Sequence, residues 1–173
     1  MPLIYEPNIG IRRGFDSLKA LIKGDTNMAM TWEELKKNII DLGFEEDSIA
    51  DPDEYLRIIV NATNRALDVI RYTVVIHIED YYRINKLWGE EDEDTGEWVF
   101  PTHEHVTSDT EDAYEIVLPD NLLVLLPLLT SHYVWLDDDI TKATMYWNEY
   151  DQLKDLLIAA CKQPRRAVIE GGW

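Results

Sequence analysis

Residues 122–129 read Leu-Leu-Val-Leu-Leu-Pro-Leu-Leu, apolar on every side of whatever helix they form. A helix with no polar face must be covered on more than one side, so the rest of the chain has to supply neighbours that surround it. The run is not a membrane span: crossing a bilayer takes about 20 consecutive apolar residues, and Pro127, Thr130, Ser131 and His132 interrupt this one. It reads as a core helix, entered through Pro119-Asp120 and kinked at Pro127, which removes one backbone hydrogen bond.

Three further helices are legible as its neighbours. Thr31-Trp32-Glu33-Glu34 is a capping box, in which hydroxyl and carboxylate each satisfy the other residue's amide. The helix it starts has Leu35, Ile39 and Leu42 on one face and Gly43 at its close. Asp51-Pro52-Asp53-Glu54 offers an N-cap, a proline at the first helical position and acids facing the positive end of the dipole. In the long helix that follows, Tyr55, Ile58, Ile59, Ala62, Ala66, Val69 and Ile70 keep the three-and-four spacing, with Arg57, Asn61, Asn64, Arg65 and Asp68 opposite. Asp137-Asp138-Asp139 start a fourth helix over 140–160, with Ala143, Trp147, Tyr150, Leu153, Leu157 and Ala160 in register, predicted to pack on the apolar one.

Between the second and third of these the pattern changes. Residues 73–78 (Thr-Val-Val-Ile-His-Ile) and 81–84 (Tyr-Tyr-Arg-Ile) are β-branched and aromatic, which favours strand; 97–100 and 114–118 follow suit, separated by acid-rich turns. So few strands bury little by themselves and must pack on the helices or on another chain. The expected fold is mainly α: a four-helix-type bundle over residues 31–160 with a small β-rich, acidic insertion at about 73–118. Extended N- and C-terminal arms, 1–30 and 161–173, complete it, with Met28 and Met30 leaving a later translation start open for the first.

Charge narrows the partners. The chain carries 34 acids against 16 bases, a net charge of −18, so tight binding of DNA or of an anionic lipid surface is excluded. Residues 79–115 hold thirteen of the acids and only Arg83 and Lys86 as bases, whereas both ends are weakly basic. Such a middle repels copies of itself while the ends attract a neighbour's acidic surface. The single cysteine, Cys161, makes no internal disulfide, and no leader pattern is legible at the N-terminus; synthesis in the cytoplasm is the expectation.

The common catalytic signatures fail. There is no Gly-rich phosphate loop, no Gly-x-Ser-x-Gly elbow and no His-Glu-x-x-His helix. His103-Glu104-His105 places two imidazoles on one face of an extended segment with Glu104 pointing away, so a metal there needs ligands from elsewhere. The acid run at 90–96 does not make an EF-hand: with Glu91 first and Gly96 sixth, Thr95 and Thr102 occupy positions that require acids. Cys161 follows a helix C-terminus, where the dipole disfavours a thiolate. No catalytic residue, cofactor or metal is therefore expected. Trp88, Trp98 and Trp173 lie in segments too polar for ordinary core and read as interface anchors. Arg12, Arg13, Arg165 and Arg166 are suited to forked contacts with a neighbour's carboxylates.

With the helices placed, residues 31–160 resemble the head-tail connector proteins (adaptor or head-completion proteins) of tailed bacteriophages. The residues that carry this are the capped first helix Thr31-Trp32-Glu33-Glu34-Leu35 ending at Gly43, and the long helix from Tyr55 to Ile70. The Leu118-Pro119-Asp120 entry to an apolar helix ending in Leu136-Asp137-Asp138-Asp139, and Lys142-Ala143 before Tyr146 and Tyr150, add to it. The resemblance implies a virion protein without enzymatic activity, made in the host cytoplasm and resident in the virion neck. Its copies form a ring, usually of twelve, beneath the portal, extending the DNA channel toward the tail. Partners are then sister copies, the portal protein, and tail or head-completion proteins; DNA passes through without specific binding, and no membrane is involved. Two other classes remain open: an acidic DNA mimic or inhibitor that occupies a basic cleft, and a small metal-dependent hydrolase using His103, His105 and the insertion's acids.

Overall fold

In the computed structural model, which describes residues 29–43 and 51–162, the capping box at Thr31 closes as its spacing requires. The Glu34 amide donates to Thr31 Oγ1 at 3.2 Å and the Thr31 amide to the Glu34 carboxylate at 2.9 Å, and α1 runs Trp32–Gly43. Helix α2 spans Pro52–Ile70, with the Asp51 carboxylate accepting from the amides of Asp53 and Glu54. Both caps satisfy donors that have no partner within their own helix. Trp32, Leu35 and Ile39 of α1 and Ile59, Ala62, Ala66, Leu67 and Ile70 of α2 are buried. Of the two arms only residues 29–30 and 161–162 are among those described; Arg12, Arg13, Arg165, Arg166 and Trp173 lie outside the described residues.

Residues 73–78 and 81–84 are helical, which corrects the strand expectation. The chain continues from α2 through a π-helical turn, Arg71–Val75, into α3, Ile76–Asn85. The reason lies in which side chains face inward: Ile70, Val74, Ile78 and Tyr82 are all buried, four residues apart. A repeat of four drifts by about 40° per step in a helix of 3.6 residues per turn. A π turn holds more residues per turn and removes much of that drift, and a kink at Ile78 (φ −127°, ψ 15°) adjusts the rest. Core contact thus overrides the strand preference of β-branched residues. The insertion starts after Asn85, where Lys86 ends α3 in the left-handed conformation (φ 55°).

Regular strand within the insertion is limited, among the described residues, to a short hairpin. β1 (Glu90–Glu91) and β2 (Trp98–Val99) pair antiparallel, Glu90 opposite Val99 and Glu91 opposite Trp98. Asp92 shapes its tip, its Oδ1 accepting from the amides of Asp94 and Thr95; these bonds hold the Asp92 carboxyl below its usual pKa. A Cβ on Gly89 would lie 2.5 Å from the Val99 carbonyl oxygen, so only glycine fits at the base. Residues 100–118 then return as an irregular leg instead of a strand. It touches α1's start through the Thr31–Glu115 bridge, with Trp32 N donating to Tyr114 O at 2.8 Å and Ile116 N to Met30 O at 2.9 Å.

A 3₁₀ turn, Asp120–Leu122, leads into α4, Leu125–Trp135. Pro127 is the third residue of α4, not an interior one. Amides of the first turn have no helical acceptor, so proline there costs no hydrogen bond and starts the helix instead of kinking it. Helix α4 packs against α1, α2 and α5 (Ile140–Lys162), and Leu125, Leu126 and Leu129 are fully buried. Ala143, Tyr146, Tyr150 and Leu157 form the inward face of α5. Trp147, expected on that face, sits at its edge against His132 and Tyr150, ring centroids 5.2 and 5.5 Å apart. The fold is mainly α.

The α2–α4 region also buries polar side chains. Thr63, Thr130 and Ser131 are fully enclosed, and their hydroxyls have no partner among the described residues. Thr130→Val keeps the shape and deletes an unpaired buried hydroxyl, so it is expected to raise stability by about 1 kcal/mol. A higher urea midpoint with unchanged slope would show this; an unchanged or lower midpoint would mean the hydroxyl is satisfied in solution.

Candidate functional site

Asn64, Asp68 and Arg71 stand at successive turns of α2 and its continuation, spaced four and three residues, and so share one face. Each grips the return leg of the insertion. The Asn64 amide pairs with the backbone of Val106 in both directions: Nδ2 donates to Val106 O and Val106 N donates to Oδ1, each at 2.9 Å. One turn on, Asp68 Oδ1 lies 2.7 Å from His103 Nε2 and 2.9 Å from His105 Nε2. Another turn on, Arg71 Nη2 donates to Val117 O at 2.8 Å while Nη1 lies against His103 Nε2. The face that looks solvent-directed in the sequence is a polar rail carrying the leg.

The electrostatics of the rail are mixed. Burial lowers the Arg71 pKa, and the charge of Asp68 opposes that shift. Asp68, His103 and His105 keep side-chain exposures of 40, 29 and 50%, so solvent and small solutes reach them. The imidazoles meet edge to face with ring centroids 5.0 Å apart. His103 Nδ1 is buried and without a partner among the described residues. Glu104 points away, as expected, and accepts from the Tyr114 hydroxyl at 3.2 Å. Beside His105 a groove opens, lined in part by Glu104, Thr107, Asp109 and Glu111.

The element missing from the sequence reading is Asp68. His103-Glu104-His105 alone does not make a ligand set, and the third donor comes from a helix more than thirty residues earlier. The available signal was the run Asn64, Asp68, Arg71: an asparagine in mid-helix, aligned with an acid and an arginine, is poorly explained by solvation alone.

Two of the three tryptophans expected as interface anchors, Trp88 and Trp98, hold the hairpin to the end of α3. Trp88, at a left-handed φ of 47°, stacks on Phe100 (centroids 5.4 Å, planes 27° apart) and meets Tyr82 edge-on. The Trp98 indole N–H donates to Leu87 O at 3.1 Å, and the Lys86 ammonium sits 5.2 Å from its ring centroid. Both side chains are half-buried. Cys161 lies in the last turn of α5, not past it, with Asn121 Nδ2 3.5 Å from its sulfur. Burial pushes the thiol up to about 11, so at neutral pH it is protonated and a poor nucleophile. Asn121 also accepts from the Tyr82 hydroxyl at 2.7 Å, joining α3 to the same network.

Compared with family models, with curated proteins and with solved structures, the chain matches none.

Proposed function

We propose that the chain is a structural, non-catalytic subunit of a tailed-phage virion: a head-tail adaptor whose copies form a ring below the portal and extend the DNA channel. In this reading α1, the rod of α2 and α3, α4 and α5 are the four-helix-type body. The hairpin and its leg are the insertion, and residues 1–30 and 161–173 are arms reaching neighbouring copies, the portal or a tail protein. The resemblance of residues 31–160 points to the family, and one structural observation favours an assembling protein. Tyr72, Ile76 and Ile84 stand 69, 57 and 78% exposed along the rod of a molecule with a net charge of −18. Large apolar side chains placed outward in a chain otherwise rich in surface charge suit a protein partner. Head-to-tail contacts between identical copies close into rings. An acidic lining repels DNA and favours its passage over its retention.

The purified chain is expected to be a monomer or weak oligomer alone, because like charges oppose assembly until a template adds contacts. Mixed with portal protein, it is expected to enter one large complex by native mass measurement. Deleting residues 164–173 should leave the helical circular dichroism signal intact and abolish the joining of heads to tails. A chain that stays monomeric beside the portal, or a deletion that still joins particles, would overturn the reading.

A further inference from the structure

We propose that Asp68, His103 and His105 bind one divalent transition-metal ion of the zinc class through Asp68 Oδ1 and the two Nε2 atoms. The three donor atoms lie within 4.8 Å of one another, and each imidazole nitrogen approaches the same carboxylate oxygen, at 2.7 and 2.9 Å. Ligands bonded to one ion at 2.0–2.1 Å stand about 3 Å apart for neighbouring octahedral positions and slightly farther for tetrahedral ones. The two carboxylate–imidazole spacings thus already suit a common ion, and the two imidazole nitrogens, within 4.8 Å of each other, need at most a small approach to share it.

Hydrogen bonding alone leaves this cluster unsatisfied. His103 Nε2 faces an obligate donor, Arg71 Nη1, and an obligate acceptor, Asp68 Oδ1. A neutral imidazole nitrogen carries either a proton or a lone pair, never both. With the proton on Nε2 the Arg71 contact is donor against donor; with it on Nδ1 the Asp68 contact sets lone pair against lone pair. Nδ1 is buried without a partner among the described residues in either case. A cation between Nε2 and Oδ1 turns the second arrangement into two bonds and frees Arg71 to keep Val117. The Arg71 charge works against the ion, so the affinity is set by the donors outcompeting it.

Two imidazoles and one carboxylate suit zinc, nickel or copper; magnesium and calcium take oxygen ligands. The site also adjoins a π turn, a distortion frequent where helices carry function. Three protein donors leave a further position for water, reached from the groove beside His105. The ion would fasten the return leg to α2, and the inference stands independently of the adaptor reading.

The test uses the full chain, stripped with chelator and titrated with Zn²⁺ by calorimetry and by NMR of the imidazole rings. One ion per chain is expected, with the His103 and His105 ring signals moving together and those of His77 and His132 unmoved. Asp68→Asn should weaken uptake by more than about tenfold, and Glu104→Gln should leave it unchanged. No uptake, uptake that leaves the His103 and His105 signals in place, or full affinity in Asp68→Asn would overturn the proposal. Should Asp68→Asn fail to fold, the ring signals of the unaltered chain decide.

Discussion

Leu129→Ala is expected to destabilise the chain by about 3–5 kcal/mol, the upper range for a leucine truncated in a core. Leu129 is fully buried in α4, and α4 is held by α1, α2 and α5 at once. With neighbours on several sides, none can move into the space without leaving another contact, so the cavity persists. Against a total of about 5–15 kcal/mol for an ordinary domain, such a loss brings the chain near unfolding at room temperature. Leu156→Ala on α5, where the leucine is 48% exposed, should cost well under half as much. Urea unfolding followed by circular dichroism measures both; equal costs would mean that α4 is not the centre of the core.

Asn64→Ala carries the second large effect, and it is local. The substitution removes both hydrogen bonds to Val106, each contributing about 1 kcal/mol net and more where the abandoned backbone group stays dry. A loss of about 2–3 kcal/mol is expected, concentrated on the leg. Hydrogen exchange should show the Val106 amide losing protection while amides in the middle of α4 and α5 keep theirs. Uniform loss of protection would show that leg and helices open as one unit.

What could be read in the chain divides along physical lines. Helix starts depend on a few adjacent residues, and the caps at Thr31 and Asp51 form as their spacing requires. The all-apolar character of residues 122–129 likewise leads directly to a helix covered by several others. The failures occur where a distant partner decides. Residues 73–84 have strand-forming side chains, yet Val74, Ile78 and Tyr82 face a core built by other segments, and that core sets the backbone. Pro127 breaks a helix only if the helix has already begun, and its start at Leu125 is fixed by the 3₁₀ turn before it. Asn64, Asp68 and Arg71 mark one face of the helix as unusual, but nothing near position 103 states that the leg carrying His103 and His105 will lie on that face.

The π turn has a consequence for how the chain can change in length. Its five residues, Arg71–Val75, do roughly the angular work of four in a regular helix, which advances about 100° per residue. Losing one of them would let the backbone tighten with both flanks still facing the same way. A single-residue deletion within Pro52–Ile70 would swivel everything beyond it by about that angle and turn Ile78 and Tyr82 out toward water. This rod therefore has one tolerant joint, and it lies directly beside the rail that carries the insertion.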